Sequence, residues 1–512
     1  MIFNWNMGEK IFLQTSVFAQ LIVIFVVLIF SQLPVNPVFA STDFKTVDTE
    51  TYRLFQEQKW DSVILIGKSA LRENIDYFYL RLRMGISYFE IKKYVQAIEH
   101  LGKAHEFNSI DPIAIEYLYD SYILAGRNSD ARVLVDKMPA MLKDKLQPRL
   151  NLLDNVHLEG GYTFSSDNKG LDNPSLMGND SIYGEQDLYG NHSYLNLDLT
   201  LNLTSRISLT LAYNYLNFSK RKYFQYGYYQ DHLDSTTNFW WGYLNHYSLH
   251  KKVDSYQMDY SVNQHELYLG STFQLPGGIK LMPAFHLIYS SSDEPMADYR
   301  GETISDTIFF DTITPETRVY NFQQATYSFP QKNKRLINYL FSFMLTKDFS
   351  IFTSGLAGSF SNLNKMNQTQ ITWSLTYYPW GRSNFYGNST FMALFQEGKS
   401  ELVFQQVVGG KILPGLWVEG SAIIGDLTNA NLINGFIVYN NTDKINYRLG
   451  ANVVYSLTKH LDISIIYQYF SNKSIHLYYT TDPGDLSQPV KPVTENNKYK
   501  TNTIIGGITW KF

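Results

Sequence analysis

The sequence predicts an α + all-β membrane protein, in which a short α-solenoid precedes an antiparallel transmembrane β-barrel of 16 strands, with 14 strands as the alternative. Two patterns favour this fold class. Apolar residues recur at helical spacing over residues 44–148, and they alternate with polar residues in segments of about ten over residues 151–512. A third observation is that no long apolar run follows residue 40, so strands are expected to cross the membrane.

The composition excludes several classes of function. The chain carries 43 Lys and Arg against 47 Asp and Glu, a net charge of −4, so we expect no nucleic-acid partner. The absence of cysteine excludes disulfides, thiol catalysis and cysteine-ligated metals. Aromatic residues make up 16% of the chain, yet the mean hydropathy of −0.22 is too low for a bundle of membrane helices. We expect no cofactor.

Residues 1–40 have the pattern of a secretory signal peptide. The apolar run "IFLQTSVFAQLIVIFVVLIF" follows Lys10 and precedes "PVNPVFA", which places Val38 and Ala40 at the −3 and −1 positions of an A-x-A-like cleavage site. The alternative is an uncleaved membrane anchor, because the apolar run is long and the preceding charge is weak.

Residues 44–148 repeat with a period of 34. Small and aromatic residues at fixed positions predict close packing between the helices of each hairpin and between hairpins. The positions assigned to this packing are Gly85, Tyr88, Ala97, Ala104, Tyr122 and Ala131. The pattern resembles the tetratricopeptide repeat (TPR), with a degenerate first repeat at about 44–77 and departures at Arg81, Ile115 and Tyr119. The resemblance implies a concave face that binds a peptide or protein; the alternative is a plug or spacer.

From residue 151 the pattern changes to strict alternation. In "YLNLDLTLNL" the leucines from Leu195 to Leu203 share one face, and the opposite face carries Asn, Asp and Thr. These segments have apolar outer faces and polar inner faces. Short turns alternate with long insertions at 165–189, 219–257, 291–334 and 471–498. Both features are typical of a transmembrane barrel. Fifteen segments fit: 152–164, 190–203, 206–218, 258–274, 278–290, 335–346, 349–360, 366–377, 384–396, 400–411, 415–426, 430–440, 445–456, 460–470 and 499–512.

An odd count cannot be correct for a chain that starts and ends on one side of the membrane, so we expect 16 strands, with 14 as the alternative. The register is least well defined over residues 415–456.

The sequence ends in "TIIGGITWKF", whose apolar residues Ile504, Ile508, Trp510 and Phe512 share one strand face. This ending resembles the C-terminal strand signal of Gram-negative outer-membrane proteins. The resemblance implies outer-membrane lipid around the barrel and recognition of these residues by the barrel-assembly machinery. Helical repeats before such a barrel resemble YaiO-type proteins and exopolysaccharide-export porins, which implies a TPR segment in the periplasm and polysaccharide as one candidate substrate.

Few residues in the sequence suggest a catalytic or ligand-binding site. "NHS" at 191–193 is the one compact Ser/His/Asn cluster, but His192 and Ser193 point to opposite faces of a strand, so a rim cluster is the better interpretation. Aromatic residues in the 219–257 insertion could contact sugar rings, with Tyr226, Tyr229, Trp240 and Trp241 as candidates; the alternative is an interfacial girdle or self-packing. The acidic loop 291–318 could bridge calcium, although a solvated loop is the simpler interpretation.

Three functions follow from these patterns. The first is an outer-membrane conduit, porin-like or for export to the envelope, whose TPR segment recruits a periplasmic protein. The second is a non-conducting scaffold whose TPR segment binds periplasmic proteins. The third is an outer-membrane hydrolase. No catalytic motif in the sequence supports it, so we do not expect an enzyme.

Overall fold

The computed structural model describes residues 43–148, 151–165, 183–240, 242–309, 317–349, 351–381, 383–440, 443–474, 476–479 and 498–512. The predicted signal peptide lies outside the described residues. None of the described helices has the length and hydropathy needed to cross a membrane.

The helical part begins at Phe44. Its helices are α1 (Phe44–Gln56), α2 (Trp60–Arg72), α3 (Phe78–Glu90), α4 (Tyr94–Phe107), α5 (Pro112–Leu124), α6 (Asn128–Asp136) and α7 (Ala140–Leu146). Helices α1, α3 and α5 start 34 residues apart, and so do α2, α4 and α6. The predicted period therefore appears as three successive helix pairs, and we call α1–α7 the helical module.

Local sequence signals begin and pack these helices. The carboxylates of Asp43 and Asp111 accept backbone N–H groups of Thr46 and Ala114 at 2.8 Å, which caps α1 and α5. The residues assigned to packing lie inside: Tyr88, Ala97, Ala104 and Ala131 are buried, Gly85 is buried between α3 and α4, and Tyr122 is partly buried against the same core.

The second part consists of β-strands. They are β1 (Leu153–Ser165), β2 (Tyr183–Asn202), β3 (Ile207–Phe239), β4 (Gly242–Leu275), β5 (Ile279–Pro295), β6 (Asp298–Phe309), β7 (Thr317–Ser328), β8 (Gln331–Asp348), β9 (Phe352–Ser361), β10 (Gln368–Tyr377), β11 (Phe385–Gln396), β12 (Lys399–Leu413), β13 (Leu416–Ile424), β14 (Asn431–Leu432), β15 (Ile437–Val438), β16 (Lys444–Ser456), β17 (Leu461–Lys473), β18 (His476–Tyr479) and β19 (Lys498–Lys511).

Fourteen of these strands form one closed antiparallel barrel. Neighbours pair in the order β1, β2, β3, β4, β5, β8, β9, β10, β11, β12, β13, β16, β17 and β19, and β19 pairs with β1 from Lys511↔Asn155 to Thr501↔Ser165. We call the end of the barrel that carries Leu153 and Lys511 the turn end, because six short connections between wall strands lie there. The opposite end is the loop end.

The strand count of 16 is wrong and the alternative of 14 is confirmed. Fourteen of the fifteen predicted segments fall on wall strands, but residues 430–440 do not: they contain the short pair β14 and β15, which makes its own two-stranded sheet. The predicted insertion at 219–257 also differs, since β3 and β4 stay paired through it from Ile207↔Phe273 to Phe239↔Gly242. Strands β6 and β7 form a separate hairpin, and β18 extends the edge of β2.

The outer face of the wall is apolar. Alternate residues on successive strands, such as Leu195, Leu267, Phe341, Leu356 and Ile465, are exposed, while their sequence neighbours point inward and are mostly polar. Exposed apolar side chains over a whole barrel surface are expected where the surrounding medium is hydrocarbon. The predicted terminal face follows this rule: Ile504, Ile508, Trp510 and Phe512 are all exposed on the outside.

Candidate functional site

The candidate site is the barrel lumen, because a segment of chain crosses it. Residues 425–440, between β13 and β16, leave the wall at the loop end and fold inward; we call them the lumen segment. Its middle is the hairpin β14–β15, joined through residues 433–436. Ile433, Asn434 and Gly435 have positive φ angles of 50°, 54° and 81°. Such a run is uncommon for residues other than glycine, so the surrounding contacts must hold the turn in place.

The tip of the lumen segment is bonded to β5 and β8. Asn434 Nδ2 donates to the Met282 carbonyl oxygen at 2.9 Å, and the hydroxyl of Ser342 donates to Asn434 Oδ1 at 2.6 Å. The buried imidazole of His286 donates from Nδ1 to the carbonyl of Gly435 at 2.8 Å. Three side-chain bonds therefore fix two consecutive tip residues.

A row of polar side chains leads to that imidazole across four neighbouring strands. Asn196 on β2 donates to Asn214 on β3, and Asn214 donates to the Glu266 carboxylate on β4 at 2.9 Å. Glu266 lies 3.3 Å from Nε2 of His286 on β5. All four wall side chains are buried. The row therefore places a carboxylate beside Nε2 of His286, while the Nδ1 bond to Gly435 orients the ring toward the lumen segment.

The base of the lumen segment is bonded to the next strands around the wall, β9 to β11. Gln370 on β10 accepts the backbone N–H of Asn431 at 3.0 Å and donates to the Asn431 carbonyl at 2.9 Å, as a neighbouring strand would. Asn431 also donates to Ser359 on β9 at 2.9 Å, and Asn429 donates to Gln396 on β11 at 3.0 Å. Amide side chains thus replace the missing strand partners of this hairpin.

Apolar contacts complete the attachment. Leu427, Ala430, Leu432 and Tyr439 of the lumen segment form a buried cluster with wall residues Met392, Val403, Ile423 and Ile445. At the tip, Phe436 packs edge-on against Tyr268, with ring centroids 5.0 Å apart, in a cluster with Ala212 and Ala284. The segment therefore spans the lumen from β11–β13 to β3–β5.

Small cavities remain on the loop side of this segment. One of about 130 Å³ is bordered by Lys220, Tyr260 and Glu294, and one of about 160 Å³ by His192, Tyr439 and Tyr499. The Lys222 ammonium lies 3.1 Å from Glu294 and 3.3 Å from Asp187, so charges at this level pair with one another. Tyr439 of the lumen segment and Asn440 at its end border this space, so the segment forms part of the walls of both cavities.

The helical module contacts the turn end of the barrel. Arg127 lies 3.3 Å from Asp348 on β8, and the Asp130 carboxylate accepts from Gln274 on β4 at 2.5 Å. The Val95 N–H donates to the Gly381 carbonyl at 3.1 Å, and Tyr378 packs into the helical core. Contacts to β1 and to the β2–β3 turn are made by Arg132, near Asp154, and by Asp136, which accepts from Ser205.

A cavity of about 640 Å³ lies at this junction. Its borders come from both parts of the chain, including Lys103, His105 and Tyr122 on the module and Arg206 and Phe349 on the barrel. Module and barrel are thus joined by polar contacts and by the packing of Tyr378, around an unfilled space.

The other predicted site residues lie apart from the lumen segment. Trp240 is 91% exposed at the end of the β3–β4 hairpin, and Tyr226 packs on Tyr327 with ring centroids 4.6 Å apart. Tyr226 therefore supports the self-packing alternative more than an open sugar platform. Trp241 and the side chain of Tyr229 lie outside the described residues.

His192 borders a lumen cavity whereas Ser193 is exposed on the outer face, so the two do not form a catalytic pair. Of the acidic residues in 291–318, Glu294 pairs with Lys222 and Lys334, and Asp298 pairs with Lys332. Among the described residues, no three His, Asp or Glu side chains are grouped to hold a metal ion.

Sequence reasoning missed the residues that hold the lumen segment: Asn431, Asn434, Gln370 and His286. One signal was present. The stretch "LINGFIV" contains an Asn-Gly pair between apolar residues, which indicates a tight hairpin rather than one continuous strand.

No protein-family model matches the chain. A curated protein of Salmonella typhi, the Vi polysaccharide export protein VexE, is 32% identical over 114 residues, which cover 21% of this chain and 17% of that protein. The match therefore spans well under two thirds of that relative.

Several solved barrels are similar in outline. The alignment with a bacterial polysaccharide outer membrane secretin covers 71% of this chain and 100% of the secretin chain, at 7% identity and a TM-score of 0.33. A Pseudomonas aeruginosa FadL homologue covers 70% and 90% at 9% identity and a TM-score of 0.37. The outer membrane channel DcaP of Acinetobacter baumannii covers 71% and 96% at 11% identity and a TM-score of 0.27. These scores are too low to transfer a function, and the chain itself shows a closed 14-strand transmembrane barrel preceded by helices.

Proposed function

We propose that this protein is a gated conduit of the outer membrane, closed in this conformation by the lumen segment. The turn end, with its short connections, faces the periplasm, and so does the helical module. That orientation follows the usual asymmetry of outer-membrane barrels, whose periplasmic turns are short.

The observation that supports a conduit is that the barrier is one separate segment. Side chains alone fill a barrel of about 8 strands, whereas 16–18 strands leave an aqueous channel. A wall of 14 strands lies near the upper figure, and residues 425–440 occupy its lumen. A membrane anchor has no need of a wide wall with a separate segment inside, so gating explains the arrangement better than anchoring does.

A polysaccharide is the substrate class that we favour. The lumen wall carries mainly amides, hydroxyls and paired charges, which suit a hydrated polymer, and the name of the partial relative VexE refers to polysaccharide export. The helical module would then present a periplasmic partner protein to the turn end. Its Tyr52 and Tyr79, which flank Arg83 at 5.2 and 5.7 Å, are exposed for such contact.

Conductance in planar bilayers tests the proposal. We would compare the full chain, a variant with residues 426–440 replaced by a short Gly-Ser linker, and a variant lacking residues 44–150. We expect the full chain to be mostly closed and the linker variant to conduct steadily. Heat-modifiable migration would first show that each barrel is folded. A folded linker variant that does not conduct would contradict the conduit.

A scaffold is the second candidate, and the exposed rings of Tyr52 and Tyr79, which flank the buried Arg83, favour it. A scaffold requires a specific periplasmic partner that no longer binds after Tyr79→Ala. It also requires that the linker variant does not conduct. A conducting linker variant would argue against pure scaffolding.

A further inference from the structure

We infer that the helical module and the lumen segment are coupled through the strand pair β5–β8, so that displacing the module from the turn end opens the lumen. The inference rests on the proposed gating function and adds what controls it. A periplasmic partner that pulls the module from the barrel would be the physical signal.

The module holds β5 and β8 at their turn-end residues. Arg127 Nη2 lies 3.3 Å from Asp348 Oδ2 on β8, and Lys280 Nζ on β5 lies 3.1 Å from the same oxygen. The Asp348 side chain is only 7% exposed and that of Arg127 19%. Removing Arg127 would leave Asp348 with Lys280 as its remaining cation, and buried charges depend strongly on complete pairing.

The same two strands hold the tip of the lumen segment. Met282 lies two residues beyond Lys280 on β5, a distance of about 7 Å along a strand, and Ser342 lies six residues before Asp348 on β8, about 20 Å away. Met282 and Ser342 both bond Asn434. Strands β5 and β8 pair without interruption from Ile279↔Lys347 to Pro295↔Gln331, so they form one ribbon with the module at one end and the gate within it.

Within this ribbon, β8 pairs continuously with β9, whereas β5 is attached less completely to its other neighbour, β4. Strands β4 and β5 pair from Val262↔Ser292 to Gly270↔Ala284 and resume at Phe273↔Leu281. Between these stretches lies Pro283, which has no N–H to donate to a neighbouring strand. Asn434 donates to the carbonyl of Met282, the residue directly before that proline. The tip therefore binds the wall where the β4–β5 ladder is interrupted.

The junction leaves room for movement. The cavity of about 640 Å³ beside Arg127 is bordered by the β4–β5 turn at Pro276–Gly278 and by Asp348. On the side of Arg127 the module can shift into this cavity without first creating space there, while Tyr378 stays packed in the helical core. A small displacement at Asp348 and Lys280 would then move the residues that bond Asn434.

A cysteine reporter tests the coupling, since the natural chain contains no cysteine. Ala212 on β3 is 6% exposed, belongs to the cluster covered by Phe436, and lies outside the ribbon. We would place Ala212→Cys in the full chain in liposomes and measure its rate of modification by a membrane-impermeant maleimide, together with channel open probability.

Arg127→Ala and Asp348→Asn should each raise the labelling rate and open probability at least fivefold. Because Asp348 belongs to the barrel, agreement of the two variants separates coupling from misfolding of the module. The matched control is Arg132→Ala, which removes a module contact to Asp154 on β1. This variant should change the labelling rate and the open probability by less than twofold.

Asn434→Ala acts directly on the gate and identifies the origin of any failure. Faster labelling with Asn434→Ala but unchanged labelling with Arg127→Ala and Asp348→Asn would overturn the coupling and leave the gate intact. Unchanged labelling and conductance with Asn434→Ala would overturn the gate itself. Equal increases with Arg127→Ala and Arg132→Ala would also contradict a route through β5 and β8.

Discussion

Gly435 lies so close to Leu340 that a β-carbon on the glycine would be 2.4 Å from the Leu340 Cδ2 atom. Gly435 also has a φ angle of 81°, which residues other than glycine rarely adopt. Both constraints act at the tip of the lumen segment, so this position decides whether the segment can rest against β8.

We predict that Gly435→Ala will displace the tip and increase conductance through the folded barrel. Gly398→Ala is the matched control, because Gly398 has a φ angle of 75° but no atom within 4 Å of the added β-carbon. Both variants carry backbone strain of about 1–2 kcal/mol, and only Gly435→Ala adds the collision. Equal conductance of the two variants in planar bilayers would show that the contact with Leu340 does not hold the tip.

Gln370 provides a second anchor whose loss can be measured locally. In Gln370→Leu the backbone N–H and carbonyl of Asn431 lose their partners, which should destabilise the lumen segment by about 1–3 kcal/mol. Hydrogen exchange of residues 427–432 should accelerate accordingly. The exposed Gln331→Leu serves as the control and should leave that exchange unchanged. Identical exchange in both variants would mean that the apolar cluster alone holds the base.

Close packing in the helical module predicts opposite outcomes for two alanine substitutions. A β-carbon at Gly85 would lie 2.5 Å from Leu101 Cγ, so Gly85→Ala should destabilise the module by about 1–3 kcal/mol. At Gly102, also helical, the added carbon meets nothing within 4 Å, and Gly102→Ala should stabilise by up to about 1 kcal/mol. Thermal melts followed by helical circular dichroism give the comparison; midpoints shifting in the same direction would refute this account.

His100 should make the module sensitive to acid. Burial lowers the pKa of His100 to about 4, and nearby charges modify this effect less: Glu99 and Asp76 favour the protonated ring, Arg81 and Lys68 the neutral ring. The ring stacks on Tyr88 and its Nδ1 lies 3.0 Å from Arg81. Since the unfolded histidine titrates near 6.5, the unfolded state binds the extra proton between pH 6.5 and 4. Stability is therefore full above pH 6.5 and falls by about 3 kcal/mol as the pH drops to 4.

His100→Gln keeps a hydrogen-bond acceptor but cannot titrate. The melting midpoint of its helical signal should change little between pH 6.5 and 4.5, whereas that of the natural chain should decrease. Parallel decreases in both proteins would assign the acid sensitivity to other groups.

The role of the terminal face in assembly remains a prediction. Deleting Phe512 removes an exposed outer side chain and the bond from its N–H to the Asp154 carbonyl at 3.0 Å, next to the β1–β19 seam. We expect less folded barrel in the outer membrane and more periplasmic degradation. Lys511→Ala is a poor control because Lys511 lies 2.5 Å from Asp462, so exposed Lys498→Ala is preferable. Equal amounts of heat-modifiable barrel in both would remove the assembly-signal interpretation.

The sequence predicted most of the fold because both of its periodicities have simple physical causes. Helix pairs start 34 residues apart, as the repeat requires, and wall strands such as β2 alternate because lipid lies on one side and a polar lumen on the other. The extra strand arose at 430–440, where "ANLINGFIVYN" is as rich in apolar residues as a wall strand. The hairpin enclosed in the lumen is also apolar where it packs against the wall, so apolar content alone cannot separate the two cases.

The candidate site was harder to predict. The lumen segment is held by Asn434, Gln370 and His286, residues that are up to 148 positions apart in the chain and have no motif in common. Their meeting depends on barrel closure. The Asn-Gly turn at 434–435 was readable, but its place inside the barrel was not.

The position of the lumen segment in the chain has a consequence for the order of assembly. Its partners on β3–β5 and β8–β12 all precede it, and only β16, β17 and β19 among the wall strands follow it. If strands are added in chain order, the segment meets an open trough that already carries the hydrogen-bond partners of Asn429, Asn431 and Asn434, and β16 then adds the bonds to Leu427 and Tyr439. The last three strands then close the wall over an occupied interior, so the nascent barrel is sealed before it has ever been an open pore.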